Sequence, residues 1–118
     1  MNELITQLTL EQLKAQMVAD LHPVIVEALP EKYYREGHLP GARHLPHDQV
    51  AGLAGTVLPE RDAQIVVYCA SSTCANSHVA ARKLVQLGYT NVAVFPGGKK
   101  EWLEAGLALE NDVGSVAA

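Results

Sequence analysis

The amino-acid sequence predicts an α/β protein of three layers, in which a mostly parallel sheet has helices on both faces. Three short β-branched apolar runs, at residues 24–26, 65–69 and 91–95, are typical of strands buried on both sides. Segments with helical spacing of apolar residues separate these runs. Each connection is long enough for the crossover helix that parallel strands require.

Length and composition indicate a single domain. The chain has 118 residues, of which 48% are hydrophobic and 19% are charged, enough for one buried core. Neither an internal repeat nor a linker is visible. We therefore expect one domain over residues 1–118, with its core at about 9–110 and a frayed tail at 111–118.

Charge and hydropathy exclude several classes of function. The formal net charge of -4 leaves no basic face for a phosphate backbone, so no nucleic-acid partner is expected. The apolar runs are far shorter than the roughly 20 residues that cross a bilayer, and the acidic Glu3 does not fit a secretory signal. No membrane partner and a cytoplasmic location follow as expectations. The two cysteines, in one short segment, cannot form a disulfide framework.

The first elements are predicted to be a helix and a strand. Thr9 and Gln12 form a capping-box pattern, and apolar residues recur behind them at helical spacing, which favours a helix over residues 9–19. The run 24–26 then forms the first strand, which ends at Glu27.

Two helices and a short strand follow. A preceding proline and Gly37 delimit a short helix over residues 31–36. A brief strand is expected at 43–45. Asp48 is expected to cap a helix that ends before Pro59.

The second half of the chain alternates strands and helices. The run 65–69 is the predicted central strand, and the helix after it stops at Gly88, a residue type common just past a helix end. Strand 91–95, a Pro-Gly-Gly turn and a last helix over residues 99–105 complete the fold.

Cys69 is the strongest candidate for chemistry. Ligands of open α/β sheets bind outside the carboxyl ends of the strands, and Cys69 leaves the central strand directly into that edge. A tight loop of small residues could turn its N–H groups towards an anion, and together with the following helix N-terminus it would lower the pKa of the thiol. We expect this loop to bind substrate; its residues are Ala70, Ser71, Ser72, Thr73, Cys74, Ala75, Asn76 and Ser77.

These residues carry a family resemblance. The segment Gly37-His38-Leu39-Pro40-Gly41-Ala42, the strand-end cysteine, the helix end Leu87-Gly88-Tyr89, and Gly97-Gly98 with Trp102 and Gly106 together resemble the rhodanese (sulfurtransferase) domain, over about residues 9–110. The resemblance implies a rhodanese-like fold and a cysteine, Cys69, that accepts a sulfane sulfur and holds it as a persulfide. The implied partners are a small donor, such as thiosulfate or a persulfide, and a thiol or cyanide acceptor, and no cofactor is required.

The loop departs from the family pattern. It contains no Arg or Lys and is about two residues longer, with Asn76 where the family places an Arg that holds an anionic donor. The family's Asp-x-Arg at the end of the first strand is Glu27-Ala28-Leu29 here. Related phosphatases need an Arg six positions after the cysteine, where this chain has Ala75, so phosphatase chemistry is disfavoured.

Cys74 leaves an alternative function open. It could resolve an oxidised Cys69 as a disulfide, carry a second persulfide or be inert. The alternative to the enzyme is thus a catalytically weak rhodanese-like module that binds a partner or senses oxidants through Cys69 and Cys74. No metal site is expected, because Cys69, Cys74 and His78 lack a fourth ligand.

Residues outside the loop receive mainly structural interpretations. His38 is expected to tie its turn by a hydrogen bond, and Trp102 to anchor the last helix in the core. Lys99 and Lys100 follow the third strand, where they are either solvated or attract an anionic donor.

Overall fold

The computed structural model describes residues 5–19 and 22–111. Five parallel strands form one sheet in the order β1-β5-β4-β2-β3. The strands are β1 (Ile5–Gln7), β2 (Val24–Glu27), β3 (Arg43–His44), β4 (Ile65–Tyr68) and β5 (Val92–Phe95). The helices are α1 (Leu10–Val18), α2 (Glu31–Glu36), α3 (Val50–Val57), α4 (Asn76–Gln86) and α5 (Gly98–Glu104). The predicted parallel α/β architecture is confirmed.

The core is divided by the sheet into two layers. Because successive side chains of a strand point to opposite faces, Val26, Val67 and Val94 pack with α3 and α4 on one face. Ile25, Val66 and Ala93 face the other layer, which contains side chains of α1 and α5. The three-layer arrangement of the prediction is confirmed by these two clusters.

The helix boundaries agree closely with the sequence, with one correction at α3. The Thr9 capping box is present, with its hydroxyl accepting from Gln12 N at 3.1 Å and the Gln12 side chain accepting from Thr9 N at 2.9 Å. The prediction that Asp48 caps α3 is wrong. A turn precedes α3, in which Gln49 N donates to Pro46 O. Gln49 is therefore the N-cap residue, and its side chain makes no capping hydrogen bond.

The sequence did not predict β1. This three-residue strand pairs in parallel with β5, Thr6 lying beside Ala93, and forms one edge of the sheet. At the other end of the chain, Glu110 and His38 exchange backbone hydrogen bonds of 2.8 Å, which holds residue 110 against the body of the domain. Beyond Asn111, the predicted tail lies outside the described residues.

Candidate active site

Cys69 lies at the carboxyl edge of the sheet, directly after β4. Its neighbour across the sheet is the end of β2, where Ala28 N donates to Tyr68 O at 3.0 Å. Cys69 is only 1% exposed. The sequence-predicted candidate thus stands at the edge where ligands of parallel sheets bind, with its side chain beneath the following loop.

The loop between β4 and α4 folds back over the sulfur. Cys74 N donates to Ser71 O at 3.0 Å, which closes a turn, and the hydroxyls of Ser71 and Thr73 lie 3.0 Å apart. Of the predicted loop residues, Ser71, Cys74 and Ser77 are brought to the Cys69 sulfur. Ser72 and Thr73 are exposed at the loop tip, and Ser77 is buried beside the sulfur.

Oxygen atoms surround the Cys69 sulfur. The thiol donates to the carbonyl oxygen of Cys74 at 3.2 Å, and the Ser71 carbonyl oxygen lies 4.0 Å away. The hydroxyl oxygen of Ser77, the second residue of α4, lies 3.5 Å from the sulfur. Carbonyl oxygens accept a hydrogen bond from the neutral thiol and have no hydrogen to donate to a thiolate.

The structure corrects the expected direction of the Cys69 pKa. Burial, and then the hydrogen bond with the Cys74 side chain, raise the pKa of the Cys69 thiol, while the hydroxyl and backbone N–H of Ser77 lower it. The sequence predicted a lowered pKa from converging loop amides, and the net direction is the opposite. The main reason is burial, which disfavours the charged form. The loop also turns the carbonyl groups of Ser71 and Cys74 towards the sulfur, where N–H groups were expected.

Both cysteines are free thiols in this structure. Cys69 is buried and Cys74 is half-buried in the loop that covers it. The predicted intraloop disulfide is therefore not formed here, and its formation on oxidation stays a prediction.

The start of α5 is fastened to the backbone of the loop. Lys99 N donates to Cys69 O at 3.0 Å, and Lys100 N donates to Ala70 O at 2.9 Å. Gly98 has φ +61°, and a Cβ at this position would collide with the Cys69 carbonyl oxygen. The close approach of α5 to Cys69 thus requires glycine.

A buried charged network lies beside this junction. Tyr68 OH donates to Glu27 Oε1 at 2.7 Å and accepts from Leu39 N at 2.9 Å. Lys99 Nζ lies 3.0 Å from Glu27 Oε2 and donates to Tyr33 O at 2.8 Å. Burial, and then the Glu27 charge, raise the pKa of Tyr68 well above its usual range, so its phenol stays a donor.

Sequence reasoning missed this network, although one signal pointed to it. Glu27 ends an otherwise apolar strand and is fully buried, and a buried carboxylate requires a partner. The lysine that supplies the partner is distant in the sequence, so only the fold identifies it.

The two candidate lysines are engaged in ion pairs. The Lys99 ammonium is held by Glu27, and its side chain is 13% exposed. Lys100 pairs with Glu104 on the surface at 2.8 Å. Asn76, the first residue of α4, is half-buried at the position where the resemblance implies an Arg.

Two structural interpretations are confirmed. His38 Nδ1 is bonded to Tyr34 O at 2.8 Å, and its ring stacks on that of Tyr34 with centroids 3.9 Å apart. Trp102 is buried in the core and donates from Nε1 to Ala108 O at 2.9 Å. Neither residue contributes a free polar group to the Cys69 loop.

Residues 5–19 and 22–111 contain neither a metal-binding cluster nor a membrane-spanning helix. Within these ranges, no group of three or more His, Cys, Asp or Glu side chains is arranged to hold a metal ion. Within the same part of the chain, no helix has the length and apolar character that a membrane span needs.

Comparison with known proteins agrees with this geometry. The Rhodanese-like domain family matches residues 9–105. The chain is 28% identical over 88 residues to the thiosulfate sulfurtransferase GlpE of Pseudomonas fluorescens, covering 75% of this chain and 77% of that protein. It is 31% identical over 86 residues to an HTH-type transcriptional regulator of Mycobacterium tuberculosis, covering 73% of this chain.

Solved structures share the fold. A thiosulfate sulfurtransferase from Pseudomonas aeruginosa superimposes with a TM-score of 0.79 at 29% identity over 92% of this chain. The chain spans only 20% of that protein and 37% of the transcriptional regulator. The family match covers most of the chain, and the parallel sheet and the strand-end cysteine accord with it, so the protein belongs to the rhodanese-like domain family.

Proposed function

We propose that the protein is a sulfurtransferase that carries a sulfane sulfur as a persulfide on Cys69. The observation that carries this proposal is the placement of Cys69 directly after the central strand, beneath a loop of small residues at the ligand-binding edge of the sheet. Membership in a family that includes thiosulfate sulfurtransferases supports the same chemistry.

The proposed reaction has two displacement steps. The Cys69 thiolate attacks the outer sulfur of the donor, an S–S bond forms at Cys69, and the remainder of the donor leaves with the electron pair of the broken bond. For thiosulfate the leaving group is sulfite, and for a persulfide it is a thiolate. A thiol or cyanide acceptor then attacks the outer sulfur and releases the Cys69 thiolate, so the cysteine returns to its first state.

The charges around the loop favour a persulfide donor over thiosulfate. The loop contains no Lys or Arg, and the nearby Lys99 is already paired with Glu27. A small dianion would therefore lack the charge-assisted hydrogen bonds that a guanidinium gives. We propose that thiosulfate is a poor donor and that a thiol persulfide loads Cys69 more readily.

Intact-mass analysis tests the proposal. The protein is incubated with thiosulfate, with mercaptopyruvate or with a low-molecular-weight persulfide, and the mass is measured before and after reduction. We expect Cys69 to gain one sulfur atom that a reductant removes. Cys69→Ser should gain none at this loop, and Cys74→Ser should still gain one. Sulfur that maps to Cys74 instead would overturn the assignment of Cys69.

A second candidate is a redox-sensing module of the same family. Two observations favour it: a second free thiol, Cys74, lies in the loop that covers Cys69, with its carbonyl oxygen 3.2 Å from the Cys69 sulfur, and one relative is a transcriptional regulator. In this function, peroxide oxidises the Cys69 thiol to a sulfenic acid and is itself reduced to water. The Cys74 thiol then attacks the Cys69 sulfur, a second water leaves, and the disulfide forms.

Peptide mapping after peroxide treatment distinguishes the two candidate functions. A reducible bond between Cys69 and Cys74 supports sensing, whereas over-oxidised Cys69 beside a free Cys74 contradicts it.

A further inference from the structure

We propose that Glu27 and Lys99 are positioning residues for Cys69. Their buried ion pair anchors the first turn of α5, and the backbone of that turn in turn holds the carbonyl oxygens of Cys69 and Ala70. This inference rests on the proposed function in one respect, since it takes Cys69 as the reacting group.

The links form a closed ring around the Cys69 peptide. Glu27 accepts from the Tyr68 hydroxyl, Tyr68 is bonded covalently to Cys69, and the Cys69 carbonyl accepts from Lys99 N. The Lys99 side chain closes the ring on the other oxygen of Glu27. Because every link is short and buried or nearly so, the Cys69 peptide has little freedom to rotate relative to β2 and α5.

Stability alone gives a poor reason for this arrangement. Taking a carboxylate and an ammonium out of water costs about as much as their attraction returns, so well-packed apolar residues usually serve as well. Glu27 is fully buried and the Lys99 side chain is 13% exposed, which makes that cost substantial here. What the pair provides is a fixed geometry, and the group that it fixes is the backbone on both sides of the candidate nucleophile.

The orientation of the Cys69 peptide determines where the sulfur lies. The side chain of Cys69 is directed under the loop, where it meets the Cys74 carbonyl and the Ser77 hydroxyl. If α5 were released, the Cys69 carbonyl would be free to turn, and the sulfur would leave this enclosed position. Water would then reach the thiol, and the oriented approach of a donor along the S–S axis would be lost.

The test uses a Cys74→Ser background, so that Cys69 is the reacting thiol and Cys74 cannot titrate beside it. The double variant Glu27→Gln/Lys99→Met removes both charges together and keeps an acceptor for the Tyr68 hydroxyl. Two quantities are measured: the rate of persulfide loading, and the pH dependence of Cys69 alkylation. The remaining groups facing the sulfur, the Ser77 hydroxyl and the carbonyls of residues 71 and 74, are unchanged.

We expect sulfur loading to fall roughly 10- to 100-fold in the double variant, as for a misplaced reacting group. The alkylation midpoint should move to lower pH, because hydration removes part of the burial that raises the Cys69 pKa. The single variant Lys99→Arg keeps a cation for Glu27, so it should retain much of the parent's loading rate and alkylation midpoint. If the double variant fails to fold, Glu27→Gln is used alone, since it leaves an amide oxygen for Lys99. We expect it to show the same two changes, slower loading and a lower alkylation midpoint, at a smaller size.

Tyr89→Phe is the matched control for lost stability. Its hydroxyl is buried and donates to carbonyls of Ala54 and Leu58 at α3, in the core layer opposite α5. This variant should lower the Tm and leave both the alkylation midpoint and the loading rate unchanged.

A double variant with the parent's alkylation profile and loading rate overturns the positioning role. If the parent takes up no sulfur at all, the proposed function fails, while the alkylation profile still decides whether the ion pair positions Cys69.

Discussion

At the scale of single residues, the reactivity of Cys69 is set by a competition between burial and one serine. Burial and the Cys74 side chain favour the neutral thiol, and Ser77 favours the thiolate through its hydroxyl and its N–H group. Since the thiolate is the nucleophile, a raised pKa means that reaction is slow near neutral pH and becomes faster as the pH rises through the pKa.

The Ser77→Ala variant tests this balance. Removing a hydroxyl that lowers the Cys69 pKa should raise the pKa further, so alkylation at pH 8 should become about tenfold slower, in line with one hydrogen bond to a charged group. The difference should shrink at high pH, where both proteins are deprotonated. The measurement is the pH–rate profile of Cys69 alkylation in Cys74→Ser protein, with the exposed Thr56→Ala on α3 as the control. An unchanged profile for Ser77→Ala would contradict this account of the sulfur's surroundings.

Asn76 offers a test of donor choice. Asn76→Arg should improve turnover of thiosulfate, because a guanidinium at the start of α4 adds bidentate, charge-assisted bonds to an anion. Asn76→Lys, which brings a point charge without the planar fork, should give a smaller gain. Steady-state rates with thiosulfate and with a thiol persulfide are compared for each protein. Efficient thiosulfate turnover by the parent itself, unaffected by Lys100→Ala, would contradict this account of the anion site.

At the scale of elements, the contact between α5 and the Cys69 loop is the critical junction. The loop itself is small and polar, and the backbone of α5 supplies donors to its first two carbonyls. Such close contact of a helix start with a loop backbone is possible only where a side chain is missing, which is the role of Gly98.

Two glycines at positive φ allow this contact to be isolated. Gly98→Ala and Gly106→Ala both place a side chain at positive φ, at +61° and +83°, so both incur the same kind of backbone strain, about 1–2 kcal/mol. Gly106 has open space around it, whereas a Cβ on Gly98 meets the Cys69 carbonyl. We therefore expect Gly98→Ala to cost about 2–5 kcal/mol of unfolding free energy and to abolish sulfur loading.

The Gly106→Ala protein should lose only the strain energy and keep its loading. Denaturant titration gives the free energy of unfolding, and mass analysis gives the loading. Equal losses in the two variants would mean that the α5 contact has no special importance.

At the scale of the whole molecule, the sheet is completed by a segment that precedes the family match. The match begins at residue 9, and β1 (Ile5–Gln7) pairs with β5 along the sheet edge. Ile5 packs partly against the core layer of α3 and α4, while Gln7 in the same strand is exposed.

Matched variants of β1 test whether this edge strand contributes to stability. Ile5→Asn removes apolar contact with the core and should cost about 1–2 kcal/mol of unfolding free energy. Gln7→Asn keeps the strand and the surface polarity, and should change the free energy by less than about 0.5 kcal/mol. Chemical denaturation measures both. A neutral Ile5→Asn would show that β1 adds nothing to the stability of the domain.

The sequence alone determined the framework of this protein. The β-branched runs are continuous because parallel strands are buried on both faces, and so β2, β4 and β5 could be located to within one or two residues. The capping box at Thr9 and the glycine after α4 mark helix ends through local backbone chemistry, which needs no tertiary context. Cys69 followed as a candidate because the carboxyl ends of parallel strands share one edge.

What the tertiary structure alone decided was the direction of groups around that cysteine. A list of small loop residues does not state whether their N–H or C=O groups turn inward, and the structure turns the carbonyls of Ser71 and Cys74 towards the sulfur. The partner of the buried Glu27 is Lys99, 72 residues further along the chain, so no local pattern could identify it. β1 was missed because three residues carry too little periodicity, and its pairing with β5 is a long-range contact. Local chemistry fixes where elements begin and end, whereas side-chain pairing and backbone orientation depend on which distant segments meet.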